Sequence, residues 1–260
     1  MNNSQISSVG KLLRKPWYSL WHFIDSALYQ GHTYTLQIPH GHRVFTPWYD
    51  TESDSDFSRA LKEIRADAPL VVSADRCYIL YQFARRALLL PGDLAECGVY
   101  TGGTAQLLAR LAASAATSAP ERRLHLFDTF RGMPETSLPE RDYHEPGDFG
   151  DTSLERVQRR LARYAALCQF HPGLMPYTFA EVEHVPQFSF IHVDVDIYPS
   201  MLACCQWFWP RLAPGGAMIF DDYGFYPYRH SARPAVDEYF ATQRQQPIAL
   251  PTGQALIVKV

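Results

Sequence analysis

A doubly wound α/β fold with a mostly parallel sheet is predicted by three features of the sequence. From residue 93 onward, short and almost wholly apolar runs alternate with segments of helical periodicity, the pattern of strands buried on both faces between covering helices. The turns joining them are short, as in repeated strand-helix-strand units. Two of the runs, Phe188-Ser-Phe-Ile-His-Val-Asp194-Val-Asp196 and Ala217-Met-Ile-Phe-Asp221-Asp222, end in paired acids. Such carboxyl ends form the edge where open α/β sheets bind ligands.

Taken in order, Asp93-Leu-Ala-Glu96-Cys-Gly98 is the first strand and residues 105–116 the helix after it. Leu124 to Asp128 is the second strand, 154–166 a helix and Leu167 to His171 the third strand. The fourth strand ends at Asp194, and the helix over 199–212 carries Pro199 early, where a missing N–H costs nothing. Residues 217–221 form the fifth strand and 233–243 a helix, and 247–250 with 254–260 close a hairpin around Thr252-Gly253. The total is seven strands, with an antiparallel strand at the end of the chain. Upstream, residues 55–66 and 73–90 read as helices, the second with Ser73 as N-cap and Pro91-Gly92 as its stop. The expected division is a helical N-terminal extension or lid over residues 1–72 and an α/β domain over 73–260. The Pro-, Gly- and charge-rich stretch from Arg131 to Asp151 is longer than a connector needs; leaving from the second strand at the ligand edge, it reads as a lid.

Composition narrows the function. The chain has 260 residues, 47% apolar, with a net charge of −3, and no basic run lines a groove, which argues against a nucleic-acid partner. Five cysteines in apolar runs (Cys77, Cys97, Cys168, Cys204, Cys205) imply a reduced, cytoplasmic interior, with Cys204-Cys205 packed in a helix core. No stretch is long and apolar enough to span a membrane, and Met1 to Gly10 lacks a signal-peptide apolar region. Trp17, Leu20, Trp21, Ile24 and Leu28 form a helical apolar stripe that suits packing on the main domain or a second subunit better than a membrane surface. His32, His40 and His42 lie in an irregular, aromatic stretch read as a surface loop or lid rather than a metal site.

At the first strand-to-helix turn, Glu96-Cys-Gly98-Val99-Tyr100-Thr101-Gly102-Gly103-Thr104 places glycines where backbone meets ligand. It lacks both the dinucleotide fingerprint and the Walker Lys-Ser/Thr, and its acid disfavours polyphosphate while suiting a cationic group. Asp128, ending the second strand, stands where an acid accepts both ribose hydroxyls.

These segments, with Phe127-Asp128-Thr129-Phe-Arg131-Gly132-Met-Pro-Glu135, His192-Val-Asp194-Val-Asp196-Ile-Tyr198, Pro214-Gly-Gly216, Asp221-Asp222-Tyr-Gly224 and Ala235-Val-Asp237-Glu238, resemble the macrocin O-methyltransferase (TylF-type) family from about Ser73 to Phe240. The resemblance implies a Rossmann-like class I methyltransferase that uses S-adenosylmethionine and Mg²⁺, methylates a hydroxyl of a sugar or glycosylated natural product, and forms a homodimer or higher oligomer. It implies that Glu96, Gly98 and Gly102 shape the methionine-side pocket with Val99, Tyr100, Thr101 and Thr104. Asp128 with Thr129 would hold the ribose, and Asp151, Ser153 and Asp194 would complete the cofactor site. Asp194, Asp221 and Asp222 match the magnesium ligands and Asp196 the general base. Two departures stand out. Met175 replaces an expected aromatic residue on the adenine side, and residues 226–233 are less glycine-rich than the family pattern.

The acids argue for the same chemistry on their own. Residues two apart on a strand share a face, so His192, Asp194 and Asp196 are expected to point one way, toward Asp221 and Asp222 on the next strand. Converging carboxylates repel unless protonated or joined by a cation, and an all-oxygen set favours Mg²⁺ over zinc. Any one of these acids alone is equally explained as a helix cap or turn acceptor. His192 is a rival base, although its depth in the strand favours a supporting role. A non-catalytic nucleoside-binding module would have shed the acids, and a Rossmann-type NAD-dependent oxidoreductase would carry the missing phosphate fingerprint.

Overall fold

Apolar runs that alternate with amphipathic helices become, in the computed structural model, one seven-stranded sheet covered on both faces. Residues 56–67, 70–115, 122–136 and 138–260 are described; the apolar stripe at 17–28 and the three histidines at 32–42 lie outside them. The elements are α1 (Asp56–Asp67), α2 (Ala74–Ala87), β1 (Asp93–Cys97), α3 (Gly103–Ala115), β2 (Leu124–Asp128), α4 (Leu154–Arg160), β3 (Cys168–Pro172), β4 (Phe188–Val193), α5 (Tyr198–Arg211), β5 (Leu212–Phe220), α6 (Ala232–Phe240), β6 (Ile248–Ala249) and β7 (Ala255–Val258). Strand order is β3-β2-β1-β4-β5-β7-β6. All pairs are parallel except those of β7, which runs antiparallel to β5 and β6. The order reverses between β1 and β4, so the ligand crevice opens at their carboxyl ends.

Alternation along the strands sorts side chains into two cores. Leu94, Leu126, Phe190 and Ile219 face α1, α2 and α3, while Ala95, Phe127, Ile191 and Met218 face α5 and α6. β4 is buried along its whole length, which accounts for its unbroken apolar character. Helix α1 buries Phe57, Ala60, Leu61 and Ile64 in the first of these cores. All five cysteines are free and buried, Cys204 and Cys205 among them on α5.

Several boundaries differ from the sequence expectation. β5 begins at Leu212 rather than 217, because its early residues pair with β4 across a register irregularity between Phe188 and Phe190 that tolerates Pro214. α2 ends at Ala87, and the chain then turns through Leu88 to reach Gly92 at φ +117°. α4 ends at Arg160 and gives way to a 3-10 turn at 162–164. β4 ends at Val193, not Asp194.

On the α5 side of the sheet runs a row of polar groups. His125 lies between Asp93 (3.1 Å) and His171 (3.0 Å), and His171 reaches Glu181 (2.7 Å). Burial lowers the affinity of His171 for a proton below the ordinary value, and His125 adds to the effect against the Glu181 hydrogen bond. Folding thus favours the neutral ring. Its contribution to stability is present above about pH 6.5 and is lost as pH falls below that value. Denaturant midpoints taken from about pH 7.5 to about 5 are expected to fall more steeply for the wild type than for His171→Gln; parallel curves would remove this ring as the cause.

Gly98, at φ +86°, closes the crevice floor: a Cβ there would lie 1.8 Å from the Asp194 carbonyl oxygen. The absence of a side chain lets β1 and β4 approach where they diverge. Gly98→Ala is expected to cost about 3 kcal/mol or more, read from the urea midpoint; an unchanged midpoint would show that the two backbones can part freely.

Candidate active site

The crevice above β1 and β4 has about 1110 Å³ of free volume, its solvent-facing mouth included, ample for two small molecules side by side. One wall is the turn after β1, with Gly98, Val99, Tyr100, Thr101 and Thr104 exposed to the cavity. Asp128 and Thr129 stand beside it. Asp128 ties the wall together: one carboxylate oxygen accepts from the Val99 and Tyr100 amides (2.6 and 2.9 Å), the other from the Phe130 amide (2.6 Å). Each oxygen has two lone pairs, so three of four are taken and the oxygen bound by Phe130, 3.5 Å from the Thr129 hydroxyl, retains capacity for one further donor.

Four of the residues expected at the cofactor stand behind this wall. Gly102 faces Val157, 3.0 Å from where its Cβ would be. Asp151 accepts from the Tyr100 hydroxyl (2.8 Å), and Ser153 caps α4 by accepting from the Arg156 amide (3.3 Å). Glu96 is wholly buried and turned to His192. The Met175 side chain lies at the wall with Leu174, an apolar surface in place of the expected aromatic face.

The acidic end shows where strand periodicity stops applying. Because β4 ends at Val193 and Asp196 takes a left-handed backbone (φ +57°), His192, Asp194 and Asp196 do not follow one strand face throughout: Asp194 has donor atoms near both His192 and Asp196, in two separate groups. Asp194 and Asp196 line the cavity with Asp222. His192 stays in the sheet, fully buried, aligned with Glu96 on β1. Its Nδ1 is 2.8 Å from Glu96 and its Nε2 3.4 Å from Asp221. Against the penalty of burial, these two carboxylates push the ring up to about 10. The ring thus stands between two buried acids, with its Nε2 close to both Asp221 and Asp194.

Asp221 is likewise buried and held from three sides. Arg76 of α2 pairs with one of its oxygens, and Gln254 donates to the other (2.7 Å). Arg76 and His192 outweigh burial and keep Asp221 ionised below the usual carboxylate range. Arg76 also lies 3.7 Å from Asp222 and over the Phe225 ring. Burial and the neighbouring acids push Asp194 and Asp222 well up, and Asp196 to about 7.

Ligand atoms of Asp194, Asp196 and Asp222 come within 4.8 Å of one another, as do those of His192, Asp194 and Asp221. Crowded, destabilised carboxylates facing a cavity are a donor set that fits a hard divalent cation. Asp194 and Asp222 are common to both this geometry and the sequence expectation, while Asp221 must be shared with Arg76. Arg76, Phe149 and Tyr228 also line the site and went unnoticed in the sequence. The only available signal was the need for a cation among four acids, and sequence alone does not choose which of many basic residues supplies it.

The family described as macrocin-O-methyltransferase (TylF) matches residues 80–250. The chain is 30% identical over 202 residues to 8-demethyl-8-(2,3-dimethoxy-alpha-L-rhamnosyl)-tetracenomycin-C 4'-O-methyltransferase of Streptomyces olivaceus, covering 74% of this chain and 75% of that protein. It is 32% identical over 162 residues to mycinamicin III 3''-O-methyltransferase of Micromonospora griseorubida, covering 58% of this chain and 61% of that one. Among solved structures, the O-methyltransferase NovP superposes with a TM-score of 0.61 at 23% identity over 74% of this chain and 83% of that one. An O-methyltransferase of Bacillus cereus in complex with SAH gives 0.51 at 16% identity, over 80% and 92%. The fold is thus that of the class I methyltransferases.

Removing Arg76 would leave one oxygen of the buried Asp221 without its ion pair, with only His192 and Gln254 on the other. Arg76→Met, measured by denaturation with chelator present, is expected to cost about 3 kcal/mol, and adding Asp221→Asn should recover part of it. No loss in the single variant would show that His192 and Gln254 suffice.

Proposed function

Because this chain belongs to the macrocin-O-methyltransferase (TylF) family, an S-adenosylmethionine-dependent O-methyltransferase lineage, we propose that it methylates a hydroxyl on the sugar of a glycosylated natural product with the help of a divalent cation. The observation that carries this reading is the placement of three acids, Asp194, Asp196 and Asp222, in one cavity with the Gly98–Thr104 turn and Asp128.

In this reading the turn and Asp128 hold S-adenosylmethionine, which supplies a methyl group on a sulfonium centre. Asp194, Asp221 and Asp222 would hold Mg²⁺; when bound, such an ion lowers the pKa of a nearby hydroxyl and orients it. Asp196 takes the proton of the acceptor hydroxyl. Burial that raises its carboxylate to about 7 makes it a stronger base than an exposed aspartate while leaving about half of it ionised near neutrality. His192 and Glu96 hold Asp221 from below, and the walls align the two substrates, which contributes the rate advantage of fixed geometry. Residues 131–151, which include Phe149 on the cavity wall, act as the lid, with residues 1–72 as an extension that takes part in acceptor or subunit contacts. A reduced, cytoplasmic setting and a homodimer complete the proposal. Among the described residues, no helix is long and apolar enough to cross a membrane.

The test is a mass-shift screen: incubation with S-adenosylmethionine, Mg²⁺ and glycosylated metabolites should yield a gain of one methyl. Exhaustive chelation should abolish turnover, and full activity without metal would remove the cation from the mechanism. Asp196→Asn is expected to lower kcat by about a hundredfold or more while calorimetry shows S-adenosylmethionine still bound; normal turnover would exclude Asp196 as the base.

A further inference from the structure

The side chain of Asp196 is not fixed by regular structure. Its residue follows the end of β4 by three positions, in a left-handed conformation, just ahead of α5. Besides the neighbouring Asp222, what reaches it comes from two other segments. Tyr228, in the turn between β5 and α6, lines the cavity beside Asp196, and the two groups interact electrostatically. His144, on the 131–151 segment, places Nε2 3.0 Å from the Tyr228 hydroxyl and 3.8 Å from the Asp196 carboxylate, with Nδ1 3.2 Å from Asp148. Its side chain is only 9% exposed. The chain Asp148–His144–Tyr228–Asp196 therefore begins on the lid and ends on the acid.

The lid itself is held as one body. Asp148 receives the Met133 amide on its carbonyl, Met133 receives the Gly147 amide, and Thr129 donates to the Gly132 carbonyl. Asp142 accepts from the Tyr198 amide (2.8 Å) at the start of α5. A run of edge-on rings links this body to the cofactor side: Tyr100 to Phe149 at 5.2 Å, then Phe149 to His144 at 4.9 Å. The same histidine is thus touched from the cofactor wall and from the acid.

We propose that His144 and Tyr228 are positioning residues for Asp196, forming a latch through which closure of the 131–151 segment aligns the carboxylate with the acceptor hydroxyl. This inference rests on the reading of Asp196 as the base. Opening the segment withdraws His144, leaves Tyr228 free to rotate, and removes the support that holds the acid toward the acceptor.

The experiment compares His144→Phe, His144→Gln, Tyr228→Phe and the double variant His144→Phe/Tyr228→Phe, with Asp196→Asn as reference. At saturating S-adenosylmethionine, kcat is expected to fall roughly tenfold to a hundredfold in His144→Phe and Tyr228→Phe, while the calorimetric affinity for S-adenosylmethionine changes by less than about twofold, within the non-additivity of distant sites. The Gln side-chain amide can take the place of Nε2, so His144→Gln should recover most of the rate. The double variant should be no slower than the slower single one, because both residues act through one chain. Amides of 131–151 should exchange faster with solvent in Tyr228→Phe, a readout that holds even if His144→Phe does not fold. Multiplicative losses, kcat at the wild-type level in Tyr228→Phe, no recovery by Gln, or exchange unchanged in the lid would each overturn the latch. An active Asp196→Asn would instead overturn the base assignment; an inactive Asp196→Asn with active latch variants would overturn the latch alone.

Discussion

Four carboxylates gathered at one edge of a sheet repel one another, and the structure is arranged around making that tolerable. The compensation runs through the sheet rather than through solvent. Glu96 on β1 pairs with His192 on β4, His192 faces Asp221 beyond β5, and Asp221 meets Arg76 of α2. The three sheet residues lie on the side covered by α1, α2 and α3 and Arg76 reaches them from α2, where little water competes and a lost partner is costly. The ladder fixes Asp221 and leaves Asp194, Asp196 and Asp222 as the destabilised, cavity-facing acids. One acid of the four is thereby neutralised inside the protein, and the other three face the cavity.

The site also depends on how the two central strands separate. β1 and β4 pair directly, and the sheet order reverses between them. Their backbones are so close at Gly98 that only glycine fits against the Asp194 carbonyl, and immediately beyond that contact the chains diverge to form the crevice. The same contact sets where Asp194 emerges. Cofactor wall and acid cluster are thus joined by one main-chain approach, which makes a catalytic geometry out of what would otherwise be two loops.

Much of this was legible beforehand, for identifiable reasons. Buried parallel strands must be apolar on both faces, so β1, β2, β4 and the later part of β5 stood out, and their order along the chain implied the topology. The acids at 194, 196, 221 and 222 and the acceptor at Asp128 were visible because charge at the end of an apolar run has few structural uses. Errors arose where a local rule was carried past its range. The period of two placed His192 beside Asp196, but the rule ends with the strand at Val193, and Asp196 enters a left-handed turn. Other contacts could not be read from spacing at all: Gly98 and Gly102 also make room for the Asp194 backbone and Val157, Ser153 caps a helix, and Asp151 accepts from Tyr100.

The sequence by itself determined the class of fold, the edge that carries the site, and the chemical type of that site, because burial patterns and acid placement are local properties repeated along the chain. Tertiary structure alone decided which acids share a cation with the protein and which face the cavity. Arg76 is 145 residues from Asp221 and His144 is 84 from Tyr228; no spacing rule links such pairs. Contacts of that kind follow from how helices and loops settle on the finished sheet, and they separate the buried, paired Asp221 from the acids that face the cavity.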